Sequence, residues 1–206
     1  MKYHLYFRAL KEIFLFAKEY SEKAGRPVRC YVPTHSLINY SAWGIVSPEA
    51  SLAGLLGMDG YIAQVWTGTA RSPVFYEGVE KERTFENAFL EYGSMVAMTQ
   101  PTGRRVFFLT DPVEDNPNHT WEDYKTNYEA TFAAQLLYPS IAHYEVMPWP
   151  SRIFTGRYQK EGVQERVGIP EAYATEILVL INALNQMQPG DDTIPGTQGA
   201  GVLLSD

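Results

Sequence analysis

Two carboxylates stand where carboxylates are unfavourable. Asp111 closes the apolar run Val106-Phe107-Phe108-Leu109 after Thr110, a place where a charge needs a polar cavity or a partner. Either it faces such a cavity, or Asp111-Pro112 forms a turn in which the carboxylate accepts from backbone amides two residues on. Glu145 lies inside the run Ala142 to Met147, between Tyr144 and Val146. It either faces a pocket or pairs with Arg152 or Arg105. Two carboxylates across one cavity are the machinery of glycoside hydrolysis, one as acid and the other as nucleophile or base. Trp66 and Trp149 close similar runs, and each indole there either stacks on a ring-shaped ligand or plugs the core. Arg71 and Arg152 orient a ligand's hydroxyls or pair with surface acids. His35, after Thr34, is a ligand-contacting base or a hydrogen-bonded structural residue. The expected site therefore has Asp111 and Glu145 as catalytic groups, with His35, Trp66, Arg71, Trp149 and Arg152 against the substrate. Carbohydrate sites use this mixture, because sugar rings stack on aromatics while their hydroxyls bond to Asp, Glu, Arg and His.

Other chemistries lack their signatures. The histidines His4, His35, His119 and His143 have no metal-ligand spacing, so neither a metal nor a cofactor is implied. No Gly-x-Ser-x-Gly elbow is present. Cys30 is the single cysteine, which excludes an internal disulfide, and its place in a strand suits a buried thiol rather than a nucleophile. Glu77, Glu80 and Glu82 fall in a charged loop and are expected to be solvated. The formal net charge of −7, with no basic stretch, argues against nucleic acid as a partner. No apolar run approaches the roughly 18 residues of a membrane span. The opening MKYHLYFRALKEIF lacks the pattern of a signal peptide, which points to a cytoplasmic location. A hydrophobic content of 45% is enough for a globular core. The 14 Tyr and 4 Trp suit either that core or a stacking surface.

The elements that must position these residues alternate. Apolar residues Tyr6, Leu10, Ile13, Phe14 and Ala17 recur at helical steps over Lys2 to Lys23, and Gly25 and Pro27 end that helix. Val28 to Val32 reads as a first strand. Ser47-Pro48-Glu49 opens a short helix to Leu56, and Tyr61 to Trp66 is a second strand. A loop spans Thr67 to about Lys81. Thr84 caps a helix to Met98, with Phe85, Ala88, Phe89, Tyr92, Met95 and Val96 on its apolar side. Arg104 to Leu109 is the third strand, and the polar loop Val113 to His119 follows it. Thr120 with Asp123 makes a capping box for a helix through Leu137. Ile141 to Met147 is the fourth strand. After a second long loop, Pro170-Glu171 starts a final helix that ends near Met187.

Four strands each separated by a helix read as four consecutive βα units of a parallel α/β protein. The segments after the strands are long and rich in Trp, Tyr, Arg and Asp, whereas those before them are short and built on Gly and Pro. This asymmetry fits a (β/α)8 barrel with its ligand face at the C-terminal ends of the strands. No Gly-rich phosphate loop follows a strand, although an open flavodoxin-like parallel sheet is the alternative. Four units are half of a barrel, so residues 1–187 are expected to be a partial barrel. Residues 188–198 then read as a linker, and the Gly-led apolar run 199–206 as the first strand of a truncated following domain.

The order of a helix, an Arg26-Pro27-Val28 strand, a Trp-ended strand, an Asp-ended strand and Glu145-Val146-Met147-Pro148-Trp149-Pro150 resembles the C-terminal half of the catalytic barrel of bacterial glycoside hydrolases. The looser likeness is to the β-galactosidase type, whose barrel is followed by a flavodoxin-like α/β domain. It spans about Tyr6 to Asp206 and rests on layout. It implies a carbohydrate substrate, hydrolysis of a glycosidic bond by carboxylates, and homo-oligomerisation through the downstream domain. Barrels of that group place a Glu nucleophile at the end of the seventh strand. If these are the last four strands, that position holds Thr110-Asp111. The role then falls to Asp111, or to Glu145 on the next strand, or the activity has been lost. The competing readings are a non-catalytic carbohydrate-binding or scaffold barrel and an unrelated open-sheet α/β enzyme.

Overall fold

The computed structural model describes residues 2–45, 49–113, 119–147 and 149–188. Its frame is a four-stranded, fully parallel sheet of β1 (Tyr31–His35), β2 (Gly60–Gln64), β5 (Arg105–Thr110) and β6 (Tyr144–Val146), joined in that order. Two small antiparallel hairpins are inserted, β3 (Val74–Tyr76) with β4 (Val79–Lys81), and β7 (Tyr158–Lys160) with β8 (Val163–Val167). The helices are α1 (Lys2–Ala24), α2 (Leu37–Ala42), α3 (Glu49–Ala53), α4 (Thr67–Ala70), α5 (Thr84–Thr99), α6 (Trp121–Gln135), α7 (Pro150–Thr155) and α8 (Glu171–Gln186). The chain is thus a mixed α/β protein built on a parallel sheet. No described helix is long and apolar enough to cross a membrane.

The register assigns every strand residue to a face, because side chains alternate along a strand. The rows Val32–Tyr61–Val106 and Thr34–Ala63–Phe108–Tyr144 share one face, and the long helices cover it. Phe7, Leu10 and Phe14 of α1 pack on Val32 and Tyr61, together with Leu52 of α3. Ala88, Tyr92, Met95 and Val96 of α5 and Ala134 of α6 pack on Ala63, Val106 and Phe108. Leu180 and Leu184 of α8 join Tyr128, Tyr144 and Val146. Tyr92 and Phe108 are fully buried with ring centroids 4.4 Å apart, and each gains on the order of 2 kcal/mol from leaving water. Parallel neighbours need crossover connections, which are almost always right-handed. Strands added one after another in a single direction therefore place their crossover helices on one side, as here for α5 and α6, and α1 and α8 cover the same face.

The opposite face is open. Its rows are Pro33–Ile62–Phe107 and His35–Gln64–Leu109–Glu145. Leu109 is buried, Ile62, Phe107, His35 and Gln64 are half-buried, and Pro33 and Glu145 are exposed. Aromatic rings meet across this face: Phe107 lies edge-on to Tyr31 at 5.2 Å and against His143 at 5.1 Å. Pro33 is tolerated because β1 is an edge of the sheet among the described strands. Gly60 is required where β2 meets β5, since a Cβ there would lie 2.0 Å from the Arg105 carbonyl oxygen.

Several boundaries differ from those read in the sequence. The first strand lies at Tyr31–His35 rather than Val28 to Val32, running through Pro33. The fourth is only Tyr144–Val146. The stretch from Thr67 to Lys81 is not a plain loop but holds α4 and the first hairpin, and the stretch after β6 holds α7 and the second. Helices of four and six residues are too short to establish a periodic pattern. The first hairpin is mostly exposed on both faces, so it has no alternation to read. Its turn places Glu77 at φ 50 and Gly78 at φ 79, and Glu in place of Asn or Asp hid the usual hairpin signal. Phe85, read on the apolar side of α5, is exposed. The expected helix start at Ser47-Pro48, Pro117 and the run 199–206 lie outside the described residues, as does the linker beyond Gln188.

Candidate functional site

Because the four strands are parallel, His35, Gln64, Thr110 and Val146 end at one edge of the sheet. Of the seven residues singled out from the sequence, His35 is the last residue of β1 and Glu145 the last but one of β6, and the other five lie in the segments that leave this edge. The structure gives them different roles.

Asp111 is buried, and its carboxylate serves the fold. Oδ1 accepts from the Thr67 backbone N–H at 3.0 Å and from the Thr67 hydroxyl at 3.0 Å. Trp66, the residue before α4, caps that helix with no side-chain hydrogen bond. A carboxylate from the neighbouring strand supplies the missing acceptor. The Thr67 hydroxyl also contacts Thr131 of α6 at 3.3 Å, so Asp111 joins β5, α4 and α6. It is a turn residue whose partners come from across the sheet rather than from two residues on.

Arg71 is also buried, and its guanidinium is occupied. It forms a two-pronged pair with Asp123 of α6, with Nη2 to Oδ1 at 2.8 Å and Nη1 to Oδ2 closing the second prong. It further donates to Glu82 at 3.2 Å and meets His119 Nδ1 at 2.9 Å. Glu82, expected to be solvated, is thus an ion-pair partner. The pair holds the end of α4, just before the first hairpin, to the start of α6, where Thr120 accepts from the Asp123 N–H as the sequence indicated. Bidentate geometry makes this pair stronger than an ordinary surface bridge. We expect Arg71→Met to lower stability by about 2 kcal/mol, since Asp123 and Glu82 keep some solvent access. Urea denaturation checks this, and a midpoint unchanged from the parent would refute it.

The remaining residues face outward. Glu145 is exposed on the open sheet face, beside Leu109 in register, and pairs with neither Arg152 nor Arg105 among the described residues. Trp149 is 65% exposed at the start of α7, and Trp66 is 36% exposed. Arg152, one turn into α7, is half-buried, and its carbonyl accepts from the Tyr158 hydroxyl at 2.5 Å. His35 ends β1 half-buried, its ring edge-on to Tyr40 at 5.8 Å and to Trp43 at 5.2 Å. Burial lowers its pKa, favouring the neutral imidazole. Cys30 is buried, and burial pushes its thiol pKa up, which disfavours a thiolate. Among the described residues no group of three or more His, Cys, Asp or Glu is placed to hold a metal ion.

One ionisable residue was missed from the sequence. Glu91 of α5 is 3% exposed. It accepts from Asn39 Nδ2 at 2.9 Å and is hydrogen-bonded to the Ser36 side chain. Asn39 Nδ2 also donates to Thr69 of α4 at 2.8 Å. Burial raises the Glu91 pKa to about 7 against the lowering effect of Ser36. The signal was available, because Glu91 falls on the stripe of Ala88, Tyr92 and Met95 that α5 buries.

Comparison with protein-family models, with curated proteins and with solved structures finds no match. Among the described residues, the C-terminal edge of the sheet presents the exposed Glu145 carboxylate, the partly exposed indoles of Trp43, Trp66 and Trp149, and His35, whose burial favours the neutral imidazole.

Proposed function

We propose that the four βα units form one side of a (β/α)8 barrel of glycoside-hydrolase type. Its carbohydrate site lies at the C-terminal edge of the strands. The observation that carries this reading is the consecutive parallel order with every long helix on one face. A doubly wound sheet of the flavodoxin kind reverses its strand order and takes helices on both faces. A barrel adds strands in sequence and turns one face inward. On this reading the open face, with Ile62, Phe107, Leu109 and Glu145, is the barrel interior.

Glu145 is the carboxylate available for chemistry, as general acid or as nucleophile. Asp111 acts as a positioning residue that holds the Trp66–Arg71 segment. Trp66 and Trp149 stack on sugar rings, His35 contacts hydroxyls, and Arg152 lies beside the same rim. The test is hydrolysis of a panel of nitrophenyl glycosides. We expect Glu145→Gln to lower kcat by about 10²- to 10⁴-fold, the usual contribution of a positioned acid or base, and Trp149→Ala to weaken saccharide binding about tenfold. The absence of both turnover and saccharide binding by calorimetry would sink the reading.

A second reading is favoured by the occupation of Asp111 and Arg71 within the fold. In it the rim binds carbohydrate without cleaving it. Binding sensitive to Trp149→Ala with no turnover in the parent protein is the result that selects it.

A further inference from the structure

We propose that α2 is a pH-operated cover over His35, latched by the Glu91 carboxyl and released when that group ionises. This goes beyond the carbohydrate reading and does not depend on it.

The latch is a buried, uncharged-partner network. Glu91 reaches from α5 to both hydrogen-bonding side chains at the start of α2, Ser36 and Asn39. Ser36 is the N-cap of α2 and accepts from the Asn39 N–H at 3.1 Å. Asn39 in turn ties the cluster to Thr69 of α4. The groups facing the carboxylate are therefore Ser36 and Asn39 from α2, with Thr69 of α4 behind Asn39. Tyr92 is its neighbour on α5, and burial holds that phenol protonated. No cation from α3, α4, α6 or the sheet pairs with Glu91 among the described residues. A desolvated carboxylate without a cation favours its protonated form, and once ionised it favours any rearrangement that admits water. The group's titration near neutrality places this change within the working range of most proteins.

The element that yields is the weaker one. α5 is 16 residues long and carries the buried stripe on the sheet, whereas α2 has six residues. α2 and its C-cap residue carry the rings that close on His35. Tyr40 and Trp43 both stand edge-on to that imidazole and lie 6.3 Å from one another. Movement of α2 away from α5 uncovers His35 and shifts Trp43 into water.

The test is tryptophan fluorescence of the whole chain from pH 5 to pH 9. We expect a reversible one-proton change centred near pH 7 that is absent in Glu91→Gln and whose amplitude is lost in Trp43→Phe. It persists in His35→Asn, which separates it from titration of the imidazole. Far-UV circular dichroism at both ends of the range confirms that the fold is retained. A transition that survives in Glu91→Gln, or one that disappears in His35→Asn, overturns the proposal. So does a flat profile in the parent chain. Glycoside turnover and saccharide binding are separate readouts, so loss of either leaves this result standing.

Discussion

Asp111→Ala is expected to lower stability by about 3 kcal/mol, while Asp111→Asn leaves it nearly unchanged. The alanine variant strands the buried Thr67 backbone N–H, 3.0 Å from Oδ1, and also removes the shorter of the Thr67 hydroxyl's bonds, leaving that hydroxyl the Asp111 carbonyl at 3.3 Å and Thr131. An unsatisfied buried donor costs about 1–3 kcal/mol. For a chain of this size that is a fall of about 6–12 °C in Tm. Asparagine keeps an oxygen where Oδ1 stands and can rebuild both bonds. The pair of variants also separates two roles that the sequence left open. If Asp111 only positions the α4 segment, Asp111→Asn keeps its kcat on any glycoside the protein hydrolyses. If it takes part in the chemistry, kcat falls by 10² or more at unchanged Tm. Calorimetric melting and steady-state rates on the same two proteins decide between these outcomes.

Glu91→Gln is expected to stabilise the protein at and above neutral pH. Its carboxyl has an ordinary pKa of 4.5 and is raised to about 7 in the folded chain, chiefly by burial. The folded state therefore holds this proton more tightly than the unfolded state. The resulting stability is fully present below about pH 4.5 and is lost as pH rises through about 7. At 1.36 kcal/mol per pKa unit the loss amounts to about 3 kcal/mol. Glutamine can keep the Asn39 hydrogen bond without a charge to bury. Denaturation at a series of pH values should show the parent declining between pH 5 and 8 and the variant lacking that component. Equal slopes for the two would show that Glu91 is not the linked group.

The long helices and the count of parallel strands were legible because their signals are local. α1 and α5 announce themselves by apolar residues at three- and four-residue steps, and α6 by the Thr120–Asp123 cap. The hairpins were not legible, because their strands of three to five residues are largely exposed. Among the site residues, the sequence left Trp149 open between a stacking surface and a core plug, and the structure places it exposed, just before α7. The partners of Asp111 and Arg71 did not follow. They lie 44 and 52 residues away in the chain.

Sequence alone was enough to determine alternating strands and helices, a parallel sheet and a chemically mixed C-terminal edge, because periodicity and strand-ending residues are properties of neighbouring positions. The tertiary structure alone decided which carboxylate is free. Asp111 and Glu145 look alike in sequence, one closing an apolar run and the other lying inside one. Burial beside Thr67 engages the first as an acceptor, and the open sheet face leaves the second exposed. Glu91, unremarked on its helix, became a carboxyl with its pKa pushed up to about 7, because packing α2 and α4 against α5 removed its water and brought no cation in return among the described residues.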